Sequence, residues 1–467
     1  MQSYVLFLCA VWYIAKKSLI LQPKFYKCPA MKRLLIFFIT LTAAFAGVKA
    51  QSVEKELQAD PNRAAGMFYA LPIGKMPKDT PAPAGKRPFY INHYGCPGSY
   101  YLDKKEYYTD TYATFAKADS LGKLTKLGKD VFRRIKLLCQ DAQNRDGELT
   151  PIGAQQSRDM VKQLVERYPD MFTPDGYYSV RSIVENRCIM TMQEGLLQLS
   201  AMHQPIIARS KASVQENGFM CPEDKILTSQ RTDSLTRLHY NRFVSLNSSD
   251  NRLMQSLFND PYYVVSSIDA AKLARQLFIL AGNVQHANVR KDVTLWDIFT
   301  QNEIHQHWRK QNAWHYINYG GCTLNGGYQA YLQRATLRNM MHMGDSVLKR
   351  YSPLMHLRYT NEQVIMSMAC LMELNGCGLH TDNLDSLEAY GWANYRIAPL
   401  GGSIIMIHYR ANHDDPDVLV KVLLNGEEAR LPIKTDCAPY YHWKDVKRYY
   451  LRKIYRYENR RFSHKKR

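Results

Sequence analysis

Residues 89–102 read FYINHYGCPGSYYL. The first six, Phe89 to Tyr94, set aromatic and branched side chains around Asn92 and His93, which is the composition of a β-strand. Gly95, Pro97 and Gly98 break that strand, so Cys96 and the residues up to Tyr100 fall on a loop at its carboxyl end. In open α/β folds, ligands bind at that end of the sheet. One short stretch therefore predicts both a sheet and the place where a site is to be sought.

Outward from it, the same alternation of strand and helix recurs. Thr150 is a helix cap with Pro151 at the first helical position. Ile152, Met160, Val161 and Leu164 supply an apolar stripe that Tyr168-Pro169 ends. Tyr177 to Val184 reads as a second strand, followed by a helix over residues 188–200. Residues 206–344 are rich in Asn, Gln, His and Arg, with short helical stretches and few strand-like runs, and predict a mainly helical insert. The α/β character then returns with a helix over Glu362–Leu374 and strands over Gly401–Tyr409 and Val418–Leu424. Asn425-Gly426 turns the last strand into a partner around Ala429–Ile433. The tail Trp443–Tyr457 is amphipathic and predicts a terminal helix packed on the body rather than on a membrane. The expected organisation is a leader over 1–50, a first α/β part over 51–205, an inserted helical domain over 206–344 and a second α/β part over 345–467.

The leader is a reading in its own right. From Met31 the chain has Lys32 and Arg33, an apolar run from Leu34 to Ala46, and small residues around Val48-Lys49-Ala50, the pattern of a secretory signal cleaved after Ala50. The apolar run is too short for an ordinary membrane-spanning helix, and no cysteine at the cleavage point invites lipidation. A second apolar stretch, Tyr4–Ala15, precedes Lys16 and Lys17. It reads either as a membrane anchor or as sequence upstream of a start at Met31. The expected location is the periplasm or the outside of a Gram-negative-type bacterium, with no stable membrane span in the mature chain.

Residues 1–50 hold seven basic groups and no acidic one, so removing them lowers the formal charge of +20 by seven, to +13. That balance favours anionic ligands. The basic residues are scattered and form no recognisable nucleic-acid module, so a nucleic-acid partner is not expected, and a phosphorylated small molecule fits as well. The eight cysteines beyond residue 50 are widely and irregularly spaced, without a CxxC pair, and specify no metal site. No cofactor is implied.

At the motif level, INHYGCPGSYYL resembles the first motif region of the histidine phosphatase clan, and most closely its bacterial multiple inositol polyphosphate phosphatases and phytase-like enzymes. In that family a strand leads into Arg-His-Gly-x-Arg, in which the histidine is the nucleophile and the arginines hold phosphate. Aligned without a gap, Cys96 takes the place of the first arginine, Pro97 that of the nucleophile and Tyr100 that of the second arginine, while Gly98 is retained. Leu149-Thr150-Pro151-Ile152-Gly153, with Gln156 and Arg158, resembles the family's following helix. Arg181-Ser182-Ile183-Val184-Glu185-Asn186-Arg187 resembles its Arg-Ser-Thr-x-x-x-Arg pattern, which puts Arg187 on the phosphate-binding arginine and Arg181 at the strand end. The last motif, Leu-Arg-Phe before His-Asp or His-Ala-Glu, is matched by Leu357-Arg358-Tyr359-Thr360-Asn361-Glu362. Asn361 then stands where the histidine would be and Glu362 where the proton donor would be; the His-Ala-Glu form needs a one-residue gap. The likeness runs from about residue 60 to 456, including the C-terminal pattern after Asp417.

The resemblance implies an α/β sandwich of the histidine-phosphatase, phosphoglycerate-mutase-like type, with a central mixed sheet and an inserted helical domain. Its chemistry is metal-free hydrolysis of phosphate monoesters through a phosphohistidine. Pro97 offers neither a nucleophilic side chain nor a backbone donor, and Cys96 and Tyr100 cannot replace two guanidinium forks. The expectation is an exported protein inactive as a phosphomonoesterase, binding an inositol phosphate or another phosphorylated ligand through Arg187, Arg181 and Asn361. Two other readings stand beside it. One is an active phosphatase using Cys96 or His93 as nucleophile with Glu362 as acid; the other is a structural, protein-binding or glycan-binding module. For single residues the alternatives are ordinary: His93 as a packed histidine, Arg187 as a helix-start arginine, and Glu362 as a first-turn helix carboxylate.

Overall fold

Strand β1 (Arg87–Gly95) is buried on both faces from Phe89 onward, which explains why its sequence is nearly continuous in large side chains rather than alternating. Successive residues leave it on opposite sides. Ile91 joins a core with Val161, Leu164 and Met192, while Tyr94 joins another with Val364, Met368 and Tyr450. The chain is described by a computed structural model over residues 52–74, 79–202, 208–231, 233–247 and 250–465, with side chains through Arg461. The expected leader over 1–50 lies outside the described residues.

The remaining strands are β2 (Tyr177–Ser182), β3 (Ala208–Ala212), β4 (Leu354–Tyr359), β5 (Ser403–Arg410), β6 (Leu419–Leu424), β7 (Glu427–Glu428) and β8 (Tyr441–His442). They form one sheet in the order β3-β2-β4-β1-β5-β6-β7, with β8 also on β6. The pairs β2–β3, β2–β4 and β1–β4 are parallel, whereas β1–β5, β5–β6 and the short pairs beyond are antiparallel. The expected mixed sheet is thus a parallel half and an antiparallel half that meet at β1.

Helices Pro151–Arg167 and Asn186–Met202 cover one face and pack on each other. Helices Glu362–Leu371, Arg334–Ser346 and Trp443–Lys465 supply the core of the other. Helix Pro151–Arg167 begins as read from sequence, with the Thr150 hydroxyl accepting from Gly153 N and Pro151 at the first position. Among the described residues no helix is long and apolar enough to cross a membrane.

Three boundaries differ from the sequence reading. β3 belongs to the main sheet, paired with β2 from Tyr178↔Ala208 to Ser182↔Ala212, so the insert starts after residue 212 rather than at 206. Its sequence, ARSKA, carries two cations and little apolar material because it is an edge strand with mostly exposed side chains. The helical layer also recruits residues from the first part. Helices Glu106–Ser120 and Lys126–Asp141 share a core with Asn251–Leu257 and Ala270–Asn283, through Phe115, Phe132, Leu257 and Leu277. Finally, the hairpin after Asn425-Gly426 is shorter than expected: β7 stops at Glu428, one further bond joins Ala429 N to Val422 O, and Leu431 N turns to the Tyr441 hydroxyl.

Candidate functional site

Register aligns the strand ends. Gly95 of β1 and Ser182 of β2 both lie opposite Tyr359 of β4, so the loops that leave these three strands emerge side by side. They carry Cys96–Tyr100, Ile183–Arg187 and Thr360–Glu362, the three segments singled out by the sequence. The structure brings them together at the carboxyl ends of parallel strands, where an α/β sheet places ligands.

The first loop is locked to helix Pro151–Arg167. Ser99 N and Ser99 Oγ both donate to Gln156 Oε1 at 2.8 Å, Thr150 N donates to Ser99 O at 2.9 Å, and Gly98 N donates to Thr191 Oγ1 at 3.2 Å. Pro97 O accepts from Gly401 N at 2.8 Å. A Cβ on Gly98 would lie 2.3 Å from Gly153 O, so this close backbone approach requires glycine.

The centre of the cluster is Tyr100, 1% exposed. Its hydroxyl donates to Glu362 Oε1 at 2.8 Å, and the Arg187 guanidinium lies over its ring, 4.6 Å from the centroid. Arg187 also forms an ion pair with Glu185 at 2.6 Å, while its Nε is buried without a hydrogen-bond partner. Burial works against the charge of Arg187, but Tyr100, Glu362 and Glu185 outweigh it and raise its pKa above the ordinary arginine value. Glu362 is buried, and its second oxygen has no partner among the described residues.

Asn361 caps helix Glu362–Leu371, its Oδ1 accepting from Val364 N at 3.1 Å. Its amide donates to Glu185 Oε1 at 2.9 Å and contacts Cys221 Sγ at 3.7 Å. Asn361 therefore reads as a cap first, and what it offers the cleft is an amide already occupied by Glu185.

The two low-lying nucleophile candidates are placed poorly for attack. Cys96 is fully buried, its amide donating to Gly402 O, and burial followed by the neighbouring Glu362 and Cys188 raises its thiol pKa well above the usual range. The nucleophile in such chemistry is the thiolate. His93 leaves β1 on the side of helix Pro151–Arg167, with its ring 5.7 Å from that of Tyr359. Burial and then Arg358 lower its pKa to about 4. Arg181 is engaged elsewhere: it pairs with the buried Glu216 at 2.7 Å and donates to Ser179 Oγ, and no hydrogen bond or ion pair among the described residues links it to Arg187, Tyr100 or Glu362.

Sequence reasoning missed the contribution of the insert. The Arg231 guanidinium stands 5.1 Å from the Tyr319 ring centroid, its Nε donates to Gln329, and its Nη2 is buried without a partner. Tyr319 is pushed up to about 12 by burial, with Arg231 opposing the shift and Glu362 and Cys221 adding to it. Arg231 and Tyr319 thus form a cation–ring pair supplied wholly by the insert. No motif surrounds it, so only the folded chain reveals it. The described residues of the cluster carry no Cys, His or carboxylate grouping spaced for a metal ion; the one such grouping, Asp436, Cys437 and His442, lies outside it.

With this sheet order, insert and loop cluster, the chain has the histidine-phosphatase α/β fold. Within that class its architecture is that of multiple inositol polyphosphate phosphatases and phytases. It superposes on the Bifidobacterium longum multiple inositol polyphosphate phosphatase in complex with inositol hexasulfate with a TM-score of 0.68 at 13% identity, covering 82% of this chain and 97% of that one. The same enzyme in complex with phosphate gives 0.67 at 14% identity over the same shares. The D. castellii phytase gives 0.60 at 11%, covering 84% of each chain. At these identities the likeness establishes the fold. No family model matches the sequence, and no curated protein matches it.

Proposed function

We propose that this is an exported protein that has the phosphatase fold without phosphomonoesterase activity, and that it holds a phosphorylated small molecule, such as an inositol phosphate, at the loop cluster. The observation that carries the reading is the Tyr100–Glu362–Arg187 constellation. Hydrolysis through a covalent intermediate needs a nucleophile in line with phosphorus, a cationic clamp on the phosphoryl oxygens and a free proton donor. Pro97 stands at the nucleophile position. Tyr100 replaces a clamp arginine with a phenol and ties up one oxygen of the residue at the acid position. Cys96 and His93, the nearest substitutes, are a buried thiol and a histidine on the other side of the strand.

Binding asks for less. Arg187 remains charged and its Nε has no hydrogen-bond partner among the described residues, so its guanidinium has a donor left for an anion's oxygens. The relative bound to inositol hexasulfate supports this class of ligand. Glu185 and Glu362 temper the site, so a ligand must offer several anionic groups to compete.

The test is phosphate release from inositol hexakisphosphate by residues 51–467, from acidic to neutral pH, beside calorimetric binding of the same compound. The expected outcome is no release above that of an Arg187→Ala variant, with binding that the variant weakens. Release abolished by Arg187→Ala would establish an active phosphatase with a rebuilt nucleophile, and would make Cys96, His93 and Glu362 the next residues to replace.

A further inference from the structure

Away from the loop cluster, helix Trp443–Lys465 carries Arg448, Arg452, Arg456 and Arg460 at intervals of four residues, a spacing that puts them on one helical face. They line a groove of about 530 Å³ together with Lys453 and Lys434, against only two carboxylates, Glu373 and Asp445. The stripe is about 18 Å long, from four residues per step at 1.5 Å rise per residue.

The rest of the helix shows that this is not a uniformly basic surface. Lys447 is paired with Asp345, Lys453 with Glu373 and Arg461 with Asp224. Glu458 draws in Arg334 and Arg338 from a neighbouring helix. Arg452 and Arg456 stand between these pairs, exposed, and have no carboxylate partner among the described residues. Like charges four residues apart weaken a helix; Arg448 is compensated by Asp445 at 3.0 Å and Arg460 donates to the Tyr328 hydroxyl at 3.3 Å, which leaves Arg452 and Arg456 as the uncompensated pair.

We infer that this groove binds a linear acidic polysaccharide, whose sulfate, phosphate or uronate groups pair with successive arginines along the helix. The surroundings narrow the choice. Stacking of nucleic-acid bases needs free aromatic faces, but within the groove Tyr331 and Tyr457 stack on each other with centroids 4.4 Å apart, and the exposed Tyr455 lies outside its lining. Insertion into a lipid surface needs an apolar helix face, and here Val446, Tyr450 and Ile454 are buried in the core. What remains is a concave track of point charges, suited to a chain of anions. Its residues are separate from those of the loop cluster, so this inference stands whatever that cluster binds.

The experiment titrates a fluorescent heparin oligosaccharide into the full chain at physiological salt. A single-stranded oligonucleotide and anionic phospholipid vesicles serve as competing probes. Arg452→Ala with Arg456→Ala is compared with Lys126→Ala with Lys129→Ala, which removes the same charge from exposed positions on another helix. The expected result is saturable oligosaccharide binding that the arginine pair weakens by about tenfold, as loss of two ionic contacts does near this salt concentration, and that the lysine pair leaves unchanged. Equal loss in both variants, no saturable binding, or tighter binding of the oligonucleotide or vesicles overturns the inference. Melting curves establish that both variants fold, and Arg452→Gln with Arg456→Gln replaces the alanine pair if they do not.

Discussion

The hydrogen bond between Tyr100 and Glu362 is the residue-scale feature at the centre of the loop cluster. Glu362 is 2% exposed with one oxygen already unpaired. Removing the phenol hydroxyl leaves the whole carboxylate without a hydrogen bond, and such a loss costs about 1–3 kcal/mol. Tyr100→Phe is therefore expected to lower the unfolding free energy by that much, read as a lower denaturant midpoint at unchanged slope, while creating no phosphatase activity; an unchanged midpoint would falsify the buried pairing. The three loop segments that hold Cys96, Pro97 and Asn361 were legible in the sequence, because they follow strand-like runs in a fixed order. What their side chains touch in three dimensions was not legible. That Tyr100 reaches Glu362, 262 positions further along the chain, and that Arg181 turns to Glu216, depend on strand register. Short motifs do not encode register, and Arg231 has no motif at all.

Among the elements, the tightest constraint is the crossing of the β1 loop over the start of helix Pro151–Arg167. A Cβ on Gly153 would lie 2.0 Å from Ser99 O, and one on Gly98 would lie 2.3 Å from Gly153 O. Both obstacles are backbone atoms, so neither can swing aside. Gly153→Ala is expected to destabilise the protein by more than about 2 kcal/mol, in the range of overpacking with backbone shift. At Ala154, on the same helix, a small-to-large change has no such expectation, and comparing the two unfolding curves isolates the effect. The helix was readable from its Thr-Pro start, because capping is local chemistry. β3 and the brevity of β7 were not readable. An edge strand needs little apolar periodicity, and the pairing that makes either one a strand lies in a distant neighbour.

For the molecule as a whole, buried histidines set an acid limit on stability. Burial is the largest influence on His93, His286, His315, His356 and His408, and lowers them from 6.5 to about 4, 4, 3, 3 and 3. In the unfolded chain the same side chains titrate near their ordinary value. As pH falls through about 6.5 the unfolded state takes up protons that the folded state refuses. Stability is thus fully present above that pH and is lost as pH falls toward 4, with each histidine contributing up to about 1.4 kcal/mol per pH unit. Carboxylates held low by ion pairs, such as Asp224 at about 2, extend the loss further into acid. His408 is the sharpest case: it is fully buried among Phe89, Tyr90 and Trp443, and neither ring nitrogen has a hydrogen-bond partner among the described residues. Thermal midpoints should be nearly flat above about pH 7 and fall steeply below about pH 6. His408→Leu removes one titrating group from the strand at little cost in volume, so its midpoint should decline less steeply with acid than that of the parent. Parallel declines in the two proteins would show that His408 takes up no proton on unfolding, and would remove it from the set that limits the fold in acid.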